Sequence, residues 1–427
     1  MDSSLNRRLV ILGGGAAGIL LAMKLASDKQ KLGIDITLID CKPFFEYTPS
    51  LISVLYEASD EQFERHFCNI TADYETLLGG LGVKFELGIV RDMDNENVIL
   101  GDGSQKIAYD ILVICTGSFY HDPWKVPCQQ DRTTMQWQDR LDYLRTHRDK
   151  YKSSEDIMCI GGGPVGVEVA SEIAWRAPLK HVTLVSSSDT VLSGTPGGVA
   201  DGAGRILNHL DPIRLLTGEK AEKVDDADDS TYKTDKTNTE IKTDLVYLCT
   251  GIRPNTQFLQ KSHPNWLDDK KRIRVNEYFQ VRGDDSSGGE GNTSNNSKSV
   301  FAVGDVNDVN EPKLWFTAHM QTVHLYHNLK RFVEGKNDMV PYSGSQISMV
   351  ISLGPHYAVG SFNGFVLNGW PFGRNSGSKL AAIAKHTVER VTMNDFHSKK
   401  LANDILYQTH EKGHLFQKIT GTCLSQR

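Results

Sequence analysis

The stretch RRLVILGGGAAGILLAMKLA (residues 7–26) decides the fold. An apolar, β-type run ends in glycines at GxGxxG spacing, and a helix-period pattern follows at once. The spacing has a mechanical reason. The first glycine permits a tight turn, the second lets a pyrophosphate approach the backbone, and the third lets helix and strand pack closely. The helix N-terminus then offers free N–H groups to the phosphates. A single match of this kind is weak, because Gly-rich turns occur throughout α/β proteins. This chain, however, repeats it in DIMCIGGGPVGVEVASEIA (156–174). Each copy is followed farther on by an apolar strand ending in CTG: DILVICTGS (110–118) and DLVYLCTGIRPN (244–255). Two copies of one strand–glycine–helix plan mean an α/β chain with two dinucleotide-binding domains.

The second strand of each unit bears on which nucleotide it takes. IDITLID (34–40) ends in Asp40, a carboxylate suited to accept ribose hydroxyls and to repel a 2′-phosphate. HVTLVSSS (181–188) ends in serines, so the second unit is open to NADH or NADPH and the sequence does not choose. In SVFAVGDVNDV (299–309) a short strand ends at Gly304-Asp305, and a helix-type stretch begins at Trp315. An Asp there can accept a ribityl hydroxyl near a flavin pyrophosphate; taken alone, it reads as a turn residue.

The rest of the chain limits the function class. Its 427 residues allow two to four domains. With 47 Lys+Arg against 53 Asp+Glu it is mildly acidic, which argues against nucleic acid as the main partner. Arg7-Arg8 before the apolar run Leu9–Met23 imitate a secretory signal, but the run carries the GxGxxG glycines and no alanine-type cleavage site follows. No stretch approaches the ~20 apolar residues of a spanning helix. Position 2 is Asp, which excludes N-myristoylation. The seven cysteines (41, 68, 115, 128, 159, 249, 423) form no CxxC or CxxxxC pair, so neither a redox disulfide nor a zinc knuckle is expected. They read as buried thiols of a reducing compartment. His319, His324 and His327 share a helical pattern without carboxylates, and no metal site is read in them. The segment 283–299 is Gly/Ser/Asn-rich and reads as a disordered loop, and 225–244 as a polar hairpin or loop.

Taken in order, GGGAAG with Asp40, GGGPVGVE, the two CTG strands and FAVGD resemble the two-dinucleotide-binding flavoproteins. These include the glutathione-reductase-like, type II NADH dehydrogenase and apoptosis-inducing-factor-like enzymes. Among them the chain looks most like the ferroptosis-suppressor (apoptosis-inducing-factor-like, mitochondrion-associated) proteins. IDCKPFFEYTPSL (39–51), RIRVNEYFQV (272–281) and LGPHYAVGSFNGF (353–365) carry that likeness.

The resemblance implies two Rossmann-like domains, the second inserted in the first, and a smaller α+β C-terminal region. The FAD domain would span 1–122 and 252–335, the NAD(P)H domain 123–251, and an acceptor-site or interface region 336–427. It assigns Gly13, Gly14, Gly15, Ala16, Ala17, Gly18, Asp40, Lys42, Thr116, Gly117 and Asp305 to FAD, and Gly161, Gly163 and Gly166 to NAD(P)H. Thr317, Ala318 and Gln321 would begin a helix aimed at the flavin edge. His319, a lone histidine on a mixed helix, reads as structural. Glu168, expected in the first turn of the second nucleotide helix, would sit at the nicotinamide–flavin junction and relay a proton. A C-terminal lysine would lie near the flavin: Lys385, with Lys379 as the alternative.

The implied reaction passes a hydride from NAD(P)H to FAD, and then two electrons to a quinone-type acceptor. A respiratory type II NADH dehydrogenase, a ferredoxin- or rubredoxin-type reductase and an apoptosis-inducing-factor-like signalling protein are the alternatives. A cytoplasmic monomer or homodimer is implied, with peripheral contact to a mitochondrial or lipid-droplet membrane left open. The basic, apolar tail 395–419 suits either a membrane surface or a packed helix.

Overall fold

The computed structural model describes residues 6–125, 133–225, 228–283, 299–362, 364–369 and 377–398. Two parallel sheets organise it. The first runs in the order Val300–Ala302, Ile111–Ile114, Arg7–Leu12, Ile34–Asp40, Lys84–Leu87, every pairing parallel. Parallel strands need crossovers that cover both faces, so their central residues are continuously apolar. Leu9, Val10, Ile11 and Leu12 are accordingly inaccessible to solvent. The helix Ala16–Ala26 packs on Trp315–Val333. Asp28 fastens the end of the first to Tyr326 (2.6 Å) and Lys330 (2.5 Å) of the second.

The second sheet has the order Ile213–Thr217, His181–Ser186, Asp156–Ile160, Leu245–Leu248, again parallel. These sheets give the α/β class expected from the repeated motif. The chain passes from the first sheet toward the second through Ser118–Phe119 and comes back through Arg253–Pro254. These two crossings pair with each other, antiparallel. Thr116 Oγ1 donates to the Asn255 carbonyl (2.8 Å) and Asn255 N–H to the Gly117 carbonyl (2.9 Å) beside them. The strand Val300–Ala302 then joins the first sheet at its edge, beside Ile111–Ile114.

The C-terminal part is α+β, with antiparallel strands Met349–Ser352, Ala358–Phe362 and Phe365–Leu367 and the helix Lys379–Ser398. It sits against the nucleotide helix Pro164–Arg176. Gly354, at φ +82°, lies flush on Trp175, where a Cβ would be 1.9 Å from the indole. No other residue lets the backbone come so close.

Of the polar hairpin or loop read at 225–244, the hairpin forms: Asp228–Thr234 pairs antiparallel with Ala221–Asp225 and with Glu240–Lys242. Cys68 is exposed rather than buried, because it faces outward on the amphipathic helix Asp60–Asn69. The loop proposed at 283–299 is outside the described residues except at its two ends, as are Cys128, Cys423 and the tail beyond residue 398. Among the described residues no helix is long and apolar enough to cross a membrane.

Candidate active site

The two glycine loops have one design. Gly13 (φ +92°) and Gly161 (φ +120°) make turns that L-residues avoid. A Cβ on Gly18 would lie 1.8 Å from the Gly13 carbonyl oxygen, and one on Gly166 would lie 1.9 Å from that of Gly161. At Gly15 and Gly163, by contrast, a Cβ would meet nothing within 4 Å. The first and third glycines are therefore required by the protein itself. The middle ones border open space into which a phosphate can come close.

Beside the first loop lies an open cleft, lined by Gly13, Asp40, Cys41, Thr116, Asn255 and Phe258 among others. Asp40 Oδ2 accepts from Gly14 N–H (2.6 Å) and Oδ1 from Lys42 N–H (3.1 Å), fixing the carboxylate at the strand end. Lys42 Nζ donates to the Phe44 carbonyl (2.7 Å). Gly117 (φ +66°) ends its CTG strand facing open space, and Ser118 Oγ donates to Asp305 Oδ2 (2.7 Å). Ala16 and Ala17 open the helix above the loop. Glycine loop, fixed acid and cleft together suit a dinucleotide.

Lys125 belongs to no motif, yet it stands among the charges of this site. It is partly buried, with its ammonium 5.4 Å from the Tyr120 ring centroid. Asp305, Lys42, Glu46 and Asp40 are the charges around it. Burial lowers its pKa despite the three carboxylates, so the site leaves room for further negative charge. Arg140 donates to the Lys125 carbonyl (3.5 Å) and to the Pro123 carbonyl (3.1 Å), and forms a buried ion pair with Glu46 (2.9 Å).

The helix Trp315–Val333 brings Thr317 and Ala318 into its first turn, both buried, with Ala318 close to Gly304. Gln321 is buried too, but its amide is used inside the protein. Its Oε1 accepts from Gly304 N–H and Asn307 Nδ2 (2.9 Å each), and its Nε2 donates to Glu311 (2.9 Å). It holds the GD turn in place. His319 packs on Trp315, and burial pushes its pKa down to about 3, keeping it neutral.

At the second nucleotide loop the strand-end Ser186 is buried under Gly162, and Ser188 Oγ lies 3.1 Å from Ser193 Oγ. The helix starts at Pro164, so Glu168 is its fifth residue, beyond the first turn. A helix-end electrostatic role does not account for it. Glu168 Oε1 accepts from Ser352 N–H (2.9 Å) and from Lys385 Nζ (2.5 Å), and Lys385 also donates to Ser352 Oγ (2.8 Å). Lys379 lies elsewhere, 5.7 Å from the Tyr357 ring. The charge of Glu168 reaches Tyr47 and Tyr120. Burial raises both phenols, with Glu168 adding to each, Glu389 to Tyr47 and Asp305 to Tyr120.

The thiols near these loops are not poised for chemistry. Burial pushes Cys115 and Cys159 up and Cys249 to about 12, so all three stay protonated.

Residues 7–322 match the family described as pyridine nucleotide-disulphide oxidoreductase. The chain is 28% identical to oxidoreductase ptaL of Pestalotiopsis fici, over 85% of this chain and 94% of that protein. It is 26% identical to ferroptosis suppressor protein 1 of Homo sapiens, over 84% and 89%. In fold it is similar to the sulfide:quinone oxidoreductase of Aquifex aeolicus, with TM-score 0.68, 18% identity and 93% and 92% of the two chains covered. It is equally similar to NDH2 of Plasmodium falciparum in complex with NADH, with TM-score 0.68, 14% identity and 93% and 98% covered. The family match spans both glycine loops, both CTG strands and the GD turn, the elements that build the two nucleotide sites. The chain belongs to the pyridine nucleotide-disulphide oxidoreductase family and is an FAD-dependent NAD(P)H oxidoreductase.

Proposed function

We propose that this enzyme reduces a quinone-type acceptor. The observation that carries the reading is the meeting of Glu168 with Lys385 and Ser352, where the nucleotide helix touches the C-terminal module. Bound FAD supplies the two-electron relay between NAD(P)H and the acceptor. It fits the cradle of Gly13 to Gly18, Asp40, Thr116, Gly117, Asp305 and Lys125, while Gly161, Gly163 and Gly166 receive the NAD(P)H pyrophosphate. Quinone reduction consumes protons as well as electrons. Lys385 Nζ, bridged to Glu168 Oε1, is a donor that the carboxylate can recharge and orient. The names of the two structural neighbours, with quinone in one and NADH in the other, agree with this chemistry.

The same reading divides the chain at 1–122 with 252–335 for FAD, 123–251 for NAD(P)H and 336–427 for the acceptor side. The paired crossings at Ser118–Phe119 and Arg253–Pro254 support it. The test is a visible spectrum of the purified protein, then oxidation of NADH and NADPH timed with and without a short-chain quinone. Quinone-stimulated turnover of a yellow protein is expected. A flavin-loaded protein that reduces an iron–sulfur partner but ignores quinones overturns the acceptor.

A further inference from the structure

The Glu168–Lys385 contact is one edge of a larger charged circuit. On the nucleotide helix, Glu168, Glu172 and Arg176 recur every four residues and so share a face. On the C-terminal helix, Lys385 and Glu389 do the same. Arg176 donates to Glu172 (2.6 Å) and to Glu57 Oε2 (3.1 Å). The other oxygen of Glu57 is 2.8 Å from His66 Nδ1, and His66 Nε2 is 3.8 Å from Glu389 Oε1. Ser50 Oγ donates to Glu389 Oε2 (2.5 Å). From Glu168 the circuit follows one helix to Arg176, crosses through Glu57 and His66, and returns along the other helix to Lys385.

His66 faces a carboxylate from each ring nitrogen. A neutral imidazole has one donor and one acceptor nitrogen, so only the imidazolium suits both partners. The charge balance agrees: four carboxylates (Glu57, Glu168, Glu172, Glu389) face two cations (Arg176, Lys385) unless His66 supplies a third. His386, on the C-terminal helix, adds its field at Glu389, and the charges of Glu389 and Glu168 both reach Tyr47. Burial opposes the charge on His66, but Glu389 and Glu57 outweigh it and raise its pKa to about 9.

We propose that His66, as imidazolium, is a positioning residue for Lys385: it holds Glu389 one helical turn away and so fixes the ammonium against Glu168. The proposal rests on the reading that this pair serves acceptor reduction. The partners of His66, Glu57 and Glu389, both lie outside the nucleotide loops, so its effect falls on the acceptor step and not on the NAD(P)H step. The linkage has a sign. A histidine pKa raised on folding stabilises the folded arrangement fully below its ordinary value of 6.5, and loses that contribution as pH rises through about 9.

The experiment uses the full-length, FAD-loaded protein in three forms: wild type, His66→Gln and His66→Lys. Stopped-flow absorbance separates bleaching by NADH from reoxidation by a short-chain quinone, from pH 6 to 10, and amide hydrogen exchange follows residues 379–398. At neutral pH, His66→Gln is expected to bleach within about twofold of wild type and to reoxidise about tenfold slower, the scale of a misplaced catalytic group. Exchange in 379–398 should rise with it. Wild-type reoxidation should fall toward the variant's rate above about pH 9, whereas His66→Lys should restore the rate and flatten that limb. Unchanged reoxidation and exchange in a folded His66→Gln overturn the proposal. So does equal slowing of both half-reactions in both variants, which marks general destabilisation. If quinone fails to reoxidise even the wild type, the acceptor assignment fails instead, and the exchange data still decide the role of His66.

Discussion

Lys385 Nζ lies 2.5 Å from Glu168 Oε1 across 217 positions of sequence, and both side chains are largely buried. A pair so placed does two things at once. It joins the C-terminal helix to the nucleotide helix, and it puts a proton donor and a carboxylate in direct contact. Removing either partner leaves the other partly desolvated without its counter-charge, so the two single variants should resemble one another.

Glu168→Gln should keep the acceptor for Ser352 N–H and bind FAD normally, yet turn over at least about tenfold slower with quinone, within the range of acid–base effects. Lys385→Met should fall by a similar factor, and the double variant should be little worse than either single one. Steady-state rates with flavin content measured in parallel check this. Wild-type rates in Glu168→Gln would return that residue to a packing role.

Lys125→Met should weaken FAD binding to the stripped protein by about tenfold, or ~1.4 kcal/mol. Quenching of FAD fluorescence measures it. ADP should lose affinity alongside FAD if the ammonium meets the pyrophosphate, and riboflavin should not. Lys125→Arg, which keeps the charge, should recover most of the loss.

Arg140→Met should cost about 3–5 kcal/mol in urea unfolding, because it strands Glu46 as an uncompensated buried carboxylate. Burial alone would raise the Glu46 pKa, and Arg140 reverses that to a net lowering. The double variant Arg140→Met with Glu46→Leu should be more stable than Arg140→Met alone.

Acid should undo the clasp between the helices Ala16–Ala26 and Trp315–Val333. Hydrogen bonds from Lys330 and then Tyr326 lower the Asp28 pKa below its ordinary 3.8. A carboxylate lowered on folding contributes stability above its unfolded value and loses it as pH falls through the folded one. Asp28→Asn should therefore lower the melting temperature at pH 7, by the equivalent of about 1 kcal/mol. The gap to wild type should close as the pH drops below 3.8. A gap independent of pH would remove charge from the explanation.

The repeated glycine motif by itself determined two parallel sheets, two nucleotide loops, the strand-end Asp40 and the likeness to flavoproteins. These were legible because each depends on local backbone geometry: a positive φ at Gly13 and Gly161, and a carbonyl less than 2 Å from any Cβ at Gly18 and Gly166. No periodicity announces a contact between distant elements. Lys385 was the candidate and Lys379 the alternative on one helix; the tertiary structure sets Lys379 on Tyr357 and Lys385 on Glu168. Gln321, read as a flavin-edge residue, is occupied by the GD turn. Lys125 and His66 had no motif at all, since their roles arise from charges brought in by other segments. Local sterics are written residue by residue along the chain. The balance between desolvation and partner charge exists only once folding has chosen the partners.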